Sequence, residues 1–248
     1  MQYSNKYIFG FTALVCLVCS LMISVSSVGL RSRQERNKLL DRKKSVLQAC
    51  WLMQPGEKLS AAQIEEKFEH IETKVIDLKT GAYADSADYD PEAKEAAPEN
   101  VAQIQELPAQ VELYQVMKDG KPETLVLPIY GKGLWSTLYG FLALDADTTT
   151  IRGLTYYEHG ETPGLGGEVD NPKWKAAWKG RKAYDEQWKV QIGLVKGKAG
   201  PPDQDPHHVD GLSGATMTSR GVTNMMQFWL GDEGYGAFLK RFREGGSA

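Results

Sequence analysis

From Tyr7 to Leu30 the chain carries no charged residue. A stretch this long and apolar satisfies its backbone in lipid only as a helix that crosses a bilayer once. Ile8, Phe9, Leu14, Val15, Leu17, Val18, Leu21, Met22, Ile23 and Val25 supply the lipid-compatible surface. A cleaved signal peptide is the alternative, but Lys6 alone precedes the stretch, and the apolar run exceeds a typical signal core. We therefore read 1–30 as a single transmembrane anchor and 31–56 as a basic stalk helix. Residues 57–110 are the first part of the soluble region, including an acidic insertion, and 111–248 are the principal domain.

The flanks of the anchor favour one orientation. Arg31, Arg33, Arg36, Lys38, Arg42, Lys43 and Lys44 follow the span, and the positive-inside rule places that side in the cytoplasm. Cys16 and Cys19 form a C-x-x-C pair inside the span, and Cys50 is the only other cysteine of the 248 residues. A lone pair lacks two further metal ligands, so the cysteines read as small residues of a membrane helix. No disulfide framework or cysteine-ligated metal site can lie beyond residue 50. A net charge of −3 gives no electrostatic footprint for nucleic acid.

In the soluble part, Leu39, Leu40, Val46, Leu47 and Trp51 continue a helix towards Pro55-Gly56. Ser60 followed by Gln63 has the form of a capping box opening a short helix to His70. Ile71 to Leu78 alternates as a strand. Tyr83 to Gln110, rich in Ala, Asp, Glu and Pro, reads as an exposed loop or poorly packed insertion. Strands are expected at Val111–Met117, Thr124–Tyr130, Leu138–Leu144 and Ile151–Glu158, the first two joined by an Asp119-Gly120 turn. Asn171-Pro172 suits a helix start, and Trp188 to Val195 reads as a further strand. Val222, Met225, Met226 and Trp229 fall on one helical stripe. The expected fold class is α+β: a mixed, largely antiparallel sheet with flanking helices, on the single N-terminal transmembrane helix.

Two glycine-rich stretches stand out, Glu161-Thr162-Pro163-Gly164-Leu165-Gly166-Gly167 and Asp210-Gly211-Leu212-Ser213-Gly214-Ala215-Thr216. The second leads directly into the Met225/Trp229 helix, where close backbone approach and free N–H groups favour a phosphate. On composition alone, Ser213 or Thr216 serves equally as an ordinary helix cap. Neither G-x-G-x-x-G nor the P-loop pattern is present. Gly211-Leu212-Ser213-Gly214-Ala215 lacks the last glycine of a hydrolase nucleophile elbow. His159, His207 and His208 have no matching carboxylate or cysteine spacing for a zinc site.

The segment Asp210 to Thr216 matches the D-x-x-[S/T]-G-A-T signature by which flavin transferases recognise proteins that carry covalent FMN. Tyr157-Glu158-His159-Gly160-Glu161-Thr162-Pro163-Gly164-Leu165-Gly166, Gly133-Leu134-Trp135-Ser136-Thr137-Leu138-Tyr139-Gly140 and Phe228-Trp229-Leu230-Gly231-Asp232-Glu233-Gly234 resemble the same family. That family comprises the C-type subunit of the sodium-translocating NADH:quinone reductases and the equivalent G-type subunit of Rnf complexes. The similarity runs from about Val111 to Phe242, and Leu134-Trp135-Ser136 and Trp229-Leu230-Gly231-Asp232 lean towards the quinone reductase.

The resemblance implies FMN joined by a phosphoester to Thr216, with FAD as donor and AMP as the other product. Asp210, Ser213, Gly214 and Ala215 would form the recognition signature and shape the turn. Thr162, Gly164, Leu165 and Gly166 would place an apolar side chain against the flavin, with Trp135 the aromatic candidate for closing the slot and Lys132 a candidate for its anionic edge. The resemblance further implies electron transfer from an iron–sulfur centre to the FMN of the B-type subunit. Its implied partners are the B, D, E and F type membrane subunits and, during maturation, the flavin transferase. The domain would lie on the periplasmic side of the inner membrane, against the charge count. The rival readings are a module gripping a loose phosphorylated ligand and a serine hydrolase using Ser213.

Overall fold

The computed structural model describes residues 4–54 and 56–245. Pro55, part of the expected end of the stalk, lies outside the described residues. Two compact units are present, residues 1–42 and 43–248.

The first unit belongs to helix α1, Asn5–Ala49, which includes an 18-residue window of mean hydropathy 2.5. Within this unit its apolar residues are exposed, Phe9, Leu17, Met22 and Val25 among them. Such a helix finds its apolar environment in lipid.

The second unit is built on one antiparallel sheet. Its strands are β1 (Ile71–Asp77), β2 (Tyr83–Ala84), β5 (Gln110–Lys118), β6 (Lys121–Lys132), β7 (Thr137–Asp145) and β8 (Ile151–Glu158), in the order β2-β1-β5-β6-β7-β8. Every pairing is antiparallel. A parallel pair, β9 (Gly193–Val195) with β10 (His208–Asp210), stands apart from it. The β5–β6 turn uses Asp119 and Gly120 at φ 51° and 74°, the left-handed pair that a two-residue hairpin turn requires.

Alternation along the strands creates two buried faces. On one, Leu127, Ile129, Leu138, Leu142 and Tyr156 pack with Val222, Met225, Met226 and Trp229 of α4 (Thr216–Leu230) and Phe238 and Leu239 of α5 (Gly236–Arg243). Trp229 is buried, and its indole N–H donates to the Tyr130 carbonyl at 2.6 Å. This fixes the helix against the sheet without leaving a buried donor unpaired. On the other face, Phe68 meets the Tyr114 ring, which meets Phe141. Phe68 ends α2 (Ala61–Phe68), whose N-terminus has the expected reciprocal capping box of Ser60 and Gln63.

Two expectations need correction. Tyr83 to Gln110 is exposed over much of its length, as expected, but it is neither a plain loop nor unpacked. It carries β2 and the antiparallel pair β3 (Lys94–Ala96) and β4 (Glu106–Pro108), and it buries Ala102 and Ile104 in the core. The Asn100 amide bonds the carbonyls of Pro98 and Ile104, and Lys132 N donates to Ala102 O. Trp188 to Val195 forms a strand only over its last three residues. The Asp185 carboxylate accepts the N–H groups of Gln187 and Lys189, a side-chain turn that competes with extended pairing.

Candidate functional site

The site forms where three turns meet at the N-terminal end of α4. The first is the turn before the helix. Asp210 Oδ1 accepts Ala199 N at 2.8 Å, and the Trp174 indole on α3 (Pro172–Ala176) donates to the Asp210 carbonyl at 2.9 Å. Asp210 thus braces the entry strand rather than pointing to a reacting group. Leu212 N donates to Ser219 Oγ, and Ser219 Oγ in turn donates to Ala215 O. The hydroxyl of the second helical turn therefore stiffens the first.

Ser213, Gly214, Thr216 and Met217 are exposed, while Ala215 and Thr218 are buried. The helices α2 and α3 begin with side-chain caps, from Ser60 and Asn171. Helix α4, with Ala215 at its N-cap, has no side-chain cap bond, and neither has the shorter α5. Neither Ser213 nor Thr216 therefore takes the ordinary capping role. The leading N–H groups of a 15-residue helix are left without a side-chain cap beside an exposed threonine, an arrangement that favours a phosphate.

The second turn is Thr162 to Gly167. The Thr162 carbonyl accepts Leu165 N at 3.1 Å and Gly167 N at 2.9 Å. This lifts Leu165, 44% exposed, onto the surface. A Cβ on Gly214 would lie 2.9 Å from Leu165 Cδ2, so the two glycine-rich stretches are in direct apposition. Gly214, at φ 72°, meets both the conformational and the spatial requirement for glycine.

The third turn, Gly133 to Ser136, presents Leu134 and Trp135, the latter 68% exposed. Trp135 is therefore not a core tryptophan. With Leu165, which meets Gly214, and Met217, next to Thr216 in the chain, these side chains give the three turns exposed apolar surface.

What joins the turns is Glu161, a residue the motif contains but which sequence reasoning did not single out. It is 5% exposed. Its Oε1 accepts Trp135 N at 2.9 Å and Ser136 N at 3.2 Å, and its Oε2 accepts the Thr218 hydroxyl at 2.6 Å. Burial pushes this carboxyl up, but the Thr218 hydroxyl and the N–H groups of Trp135, Ser136 and Leu134 outweigh it and hold the pKa below the ordinary value. Two glycines leave room for the carboxylate. A Cβ on Gly133 would lie 2.6 Å from Oε1, and one on Gly166 would lie 2.6 Å from Oε2 and from Thr218 Oγ1.

His159 extends the framework. Its Nδ1 accepts Glu161 N at 3.2 Å and its Nε2 lies 2.8 Å from Asp170. His207 and His208 lie elsewhere, held by the Lys182 carbonyl and by Asp205.

Residues 133–231 match the model of the FMN-binding domain family, a range that begins at the Gly133 turn and ends with α4. Two curated relatives are each 44% identical to this chain. The C-type subunit of the Na(+)-translocating NADH-quinone reductase of Yersinia pestis aligns over 97% of this chain and 96% of its own length. That of Pseudomonas aeruginosa aligns over 93% of both. The chain belongs to the family of C-type subunits of Na+-translocating NADH-quinone reductases. The crystal structure of Shewanella oneidensis NqrC superposes with a TM-score of 0.74 at 35% identity, covering 86% of this chain and 99% of that one. The C-type subunit from Parabacteroides distasonis gives 0.64 at 28% identity, covering 85% and 96%. Within this family of enzyme subunits, the chain presents an FMN-binding domain and, among the described residues, one candidate membrane helix.

The residues present fit FMN. An exposed threonine stands at a helix N-terminus that has no side-chain cap, and the turns that meet there expose Leu134, Trp135, Leu165 and Met217.

Proposed function

We propose that this chain holds FMN through a phosphoester to Thr216 and serves as an electron-transfer component of a membrane-bound, sodium-translocating NADH:quinone oxidoreductase. The observation that carries the reading is the α4 N-terminus, left without a side-chain cap while Thr216 stands exposed upon it.

Each set of residues has a distinct task. Thr216 supplies the attachment oxygen. Ser213, Gly214 and Ala215 keep the turn open, so that the first N–H groups of the helix meet a phosphate's negative charge. Asp210 holds the strand that feeds the turn, and a flavin transferase reads it as part of the signature. Leu165, raised by Thr162, Gly164 and Gly166, offers an apolar contact to a flat ring, with Trp135 and Leu134 at the opposite turn. When bound, FMN supplies reversible acceptance and release of electrons. The chain has no dinucleotide fingerprint, and NADH oxidation belongs to another member of the complex.

In this reading, the chain stands between an iron–sulfur centre on neighbouring membrane subunits and the FMN of the B-type subunit, with the D, E and F type subunits as further partners. A transferase acting outside the cytoplasm requires a periplasmic domain. Assembly with other subunits then overrides the basic flank of α1.

The test is intact mass and in-gel flavin fluorescence of the full chain co-expressed with a flavin transferase, alongside Thr216→Ala. The expected result is one FMN adduct in the wild type and none in the variant. A wild type without an adduct, despite active transferase and export, refutes the covalent reading and leaves a loosely held phosphorylated ligand. Protease added to intact spheroplasts tests the topology, with cleavage of the domain expected.

A further inference from the structure

Glu161 is more than a strut. A carboxylate 5% exposed requires compensation. Here it comes from dipoles alone, because among the described residues no Lys, Arg or His lies within 4 Å of its oxygens. Its partners are backbone N–H groups and one hydroxyl, so the charge remains net negative. It lies immediately behind Gly166 and Gly133, where any Cβ would meet it. Its partner Thr218 is two residues from Thr216. A fixed charge in a partly water-excluded setting acts over a longer range than it would in solvent.

We propose that ionised Glu161 is a positioning residue that also lowers the reduction potential of FMN held at Thr216, by placing one fixed negative charge behind the Leu165–Gly166 wall. The proposal rests on the covalent-FMN reading given above. The physical reason is direct: an added electron on the flavin meets a like charge that is held in place and is less screened than a charge in solvent.

Two substitutions separate charge from scaffold. Glu161→Gln is nearly isosteric and can keep all three bonds. Its amide oxygen accepts Trp135 N and Ser136 N, and its NH2 donates to Thr218 Oγ1, which reverses its role. Thr218→Val removes one donor and keeps the charge. His159, which accepts the N–H of Glu161, Asp170 beyond it and Lys175, which pairs with Asp170 at 3.1 Å, are the titratable groups adjoining this segment, with Lys132 at the end of β6. All four are unchanged in both variants.

The experiment is a redox titration of the full chain in detergent, on samples whose covalent adduct has first been confirmed by mass. At pH 8, Glu161→Gln should shift the oxidised-to-reduced ratio at a given poise roughly tenfold towards reduced flavin. That is about 30 mV for a two-electron couple or 59 mV for a one-electron couple. Thr218→Val should stay within twofold of wild type at pH 8. As pH falls it should rise above the wild-type potential, because its carboxylate, short of one donor, protonates earlier.

Wild-type potential in Glu161→Gln, or an equal shift in Thr218→Val at pH 8, overturns the charge assignment and leaves Glu161 a strut. If Glu161→Gln does not fold, the pH dependence of Thr218→Val decides, and a curve parallel to wild type overturns the proposal. A wild type without an adduct fails at the mass step, which identifies the failure as that of the underlying reading.

Discussion

Replacing Gly221 by alanine tests how closely α4 must approach the sheet. Gly221 lies in the interior of the helix, one turn beyond Thr218. A Cβ there would sit 2.3 Å from the Lys132 carbonyl oxygen and 3.3 Å from Gly133 Cα. Comfortable carbon–oxygen contacts begin near ~3.3 Å, so helix and strand must separate by about 1 Å. The obstacle is backbone, which cannot swing aside as a flexible side chain does. Against this stands the helix propensity of alanine, worth about 1 kcal/mol over glycine. Overpacking in a tight core costs about 1–3 kcal/mol and occasionally more. Here separation also stretches the Trp229–Tyr130 and Thr218–Glu161 bonds, each worth about 1 kcal/mol or more. The clash wins, with a net loss of about 1–3 kcal/mol. For a domain of this size that is a fall in melting temperature of about 3–10 °C. Thermal unfolding of the full chain, followed by tryptophan fluorescence, measures it. An unchanged or raised melting temperature would mean that propensity governs the position and that α4 does not rest on the Lys132 carbonyl.

Two further outcomes follow from groups outside the site. Asp147 accepts Thr149 N and Thr150 N at 2.9 and 2.7 Å in the β7–β8 turn. Burial pushes its carboxyl up, but the Thr150 hydroxyl, these N–H groups and Lys182 outweigh it and hold the pKa below the ordinary range. Asp147→Ala should cost about 1 kcal/mol at neutral pH by urea unfolding. Because the folded pKa lies below the unfolded one, that difference is full above the unfolded value. It should shrink as pH falls through the folded value, and a pH-independent difference would contradict the assignment. Cys50 is buried, its thiol pushed up to about 11 chiefly by that burial. At pH 8 a maleimide should leave it unmodified in the native chain and label it in denaturant, as read by peptide mass.

The parts of the fold legible in the sequence are those whose signal is local. Asp119-Gly120 between alternating strands fixed its own turn through two left-handed residues. The Val222, Met225, Met226 and Trp229 stripe announced the buried face of α4. The anchor needed only length and absence of charge. The segment from Tyr83 to Gln110 misled because its order comes from distant partners. Ala102 is held by Lys132, and Val101 by the Asn224 amide 123 residues away. Neither contact leaves a period in the sequence. Trp188 to Val195 misled for the opposite reason, because its pattern of large residues is strand-like while Asp185 folds the backbone into a turn.

The candidate site divides in the same way. Glycines, an exposed threonine and a helix start are visible as a motif, because backbone approach and conformation restrict each position to few residue types. The residue that assembles them is not visible. An acid beside a glycine-rich turn normally reads as solvated surface, and Glu161 differs only because partners 25, 26 and 57 residues away supply its donors. Its burial is intelligible only once those donors are in place. A carboxylate can accept from several directions at once, and here it ties the Gly133 turn and α4 to its own turn. The same choice leaves a charge inside the wall of the site. On the proposal made above, the group that builds the cleft also acts on the electron affinity of what the cleft holds, so architecture and redox tuning are one decision at this position.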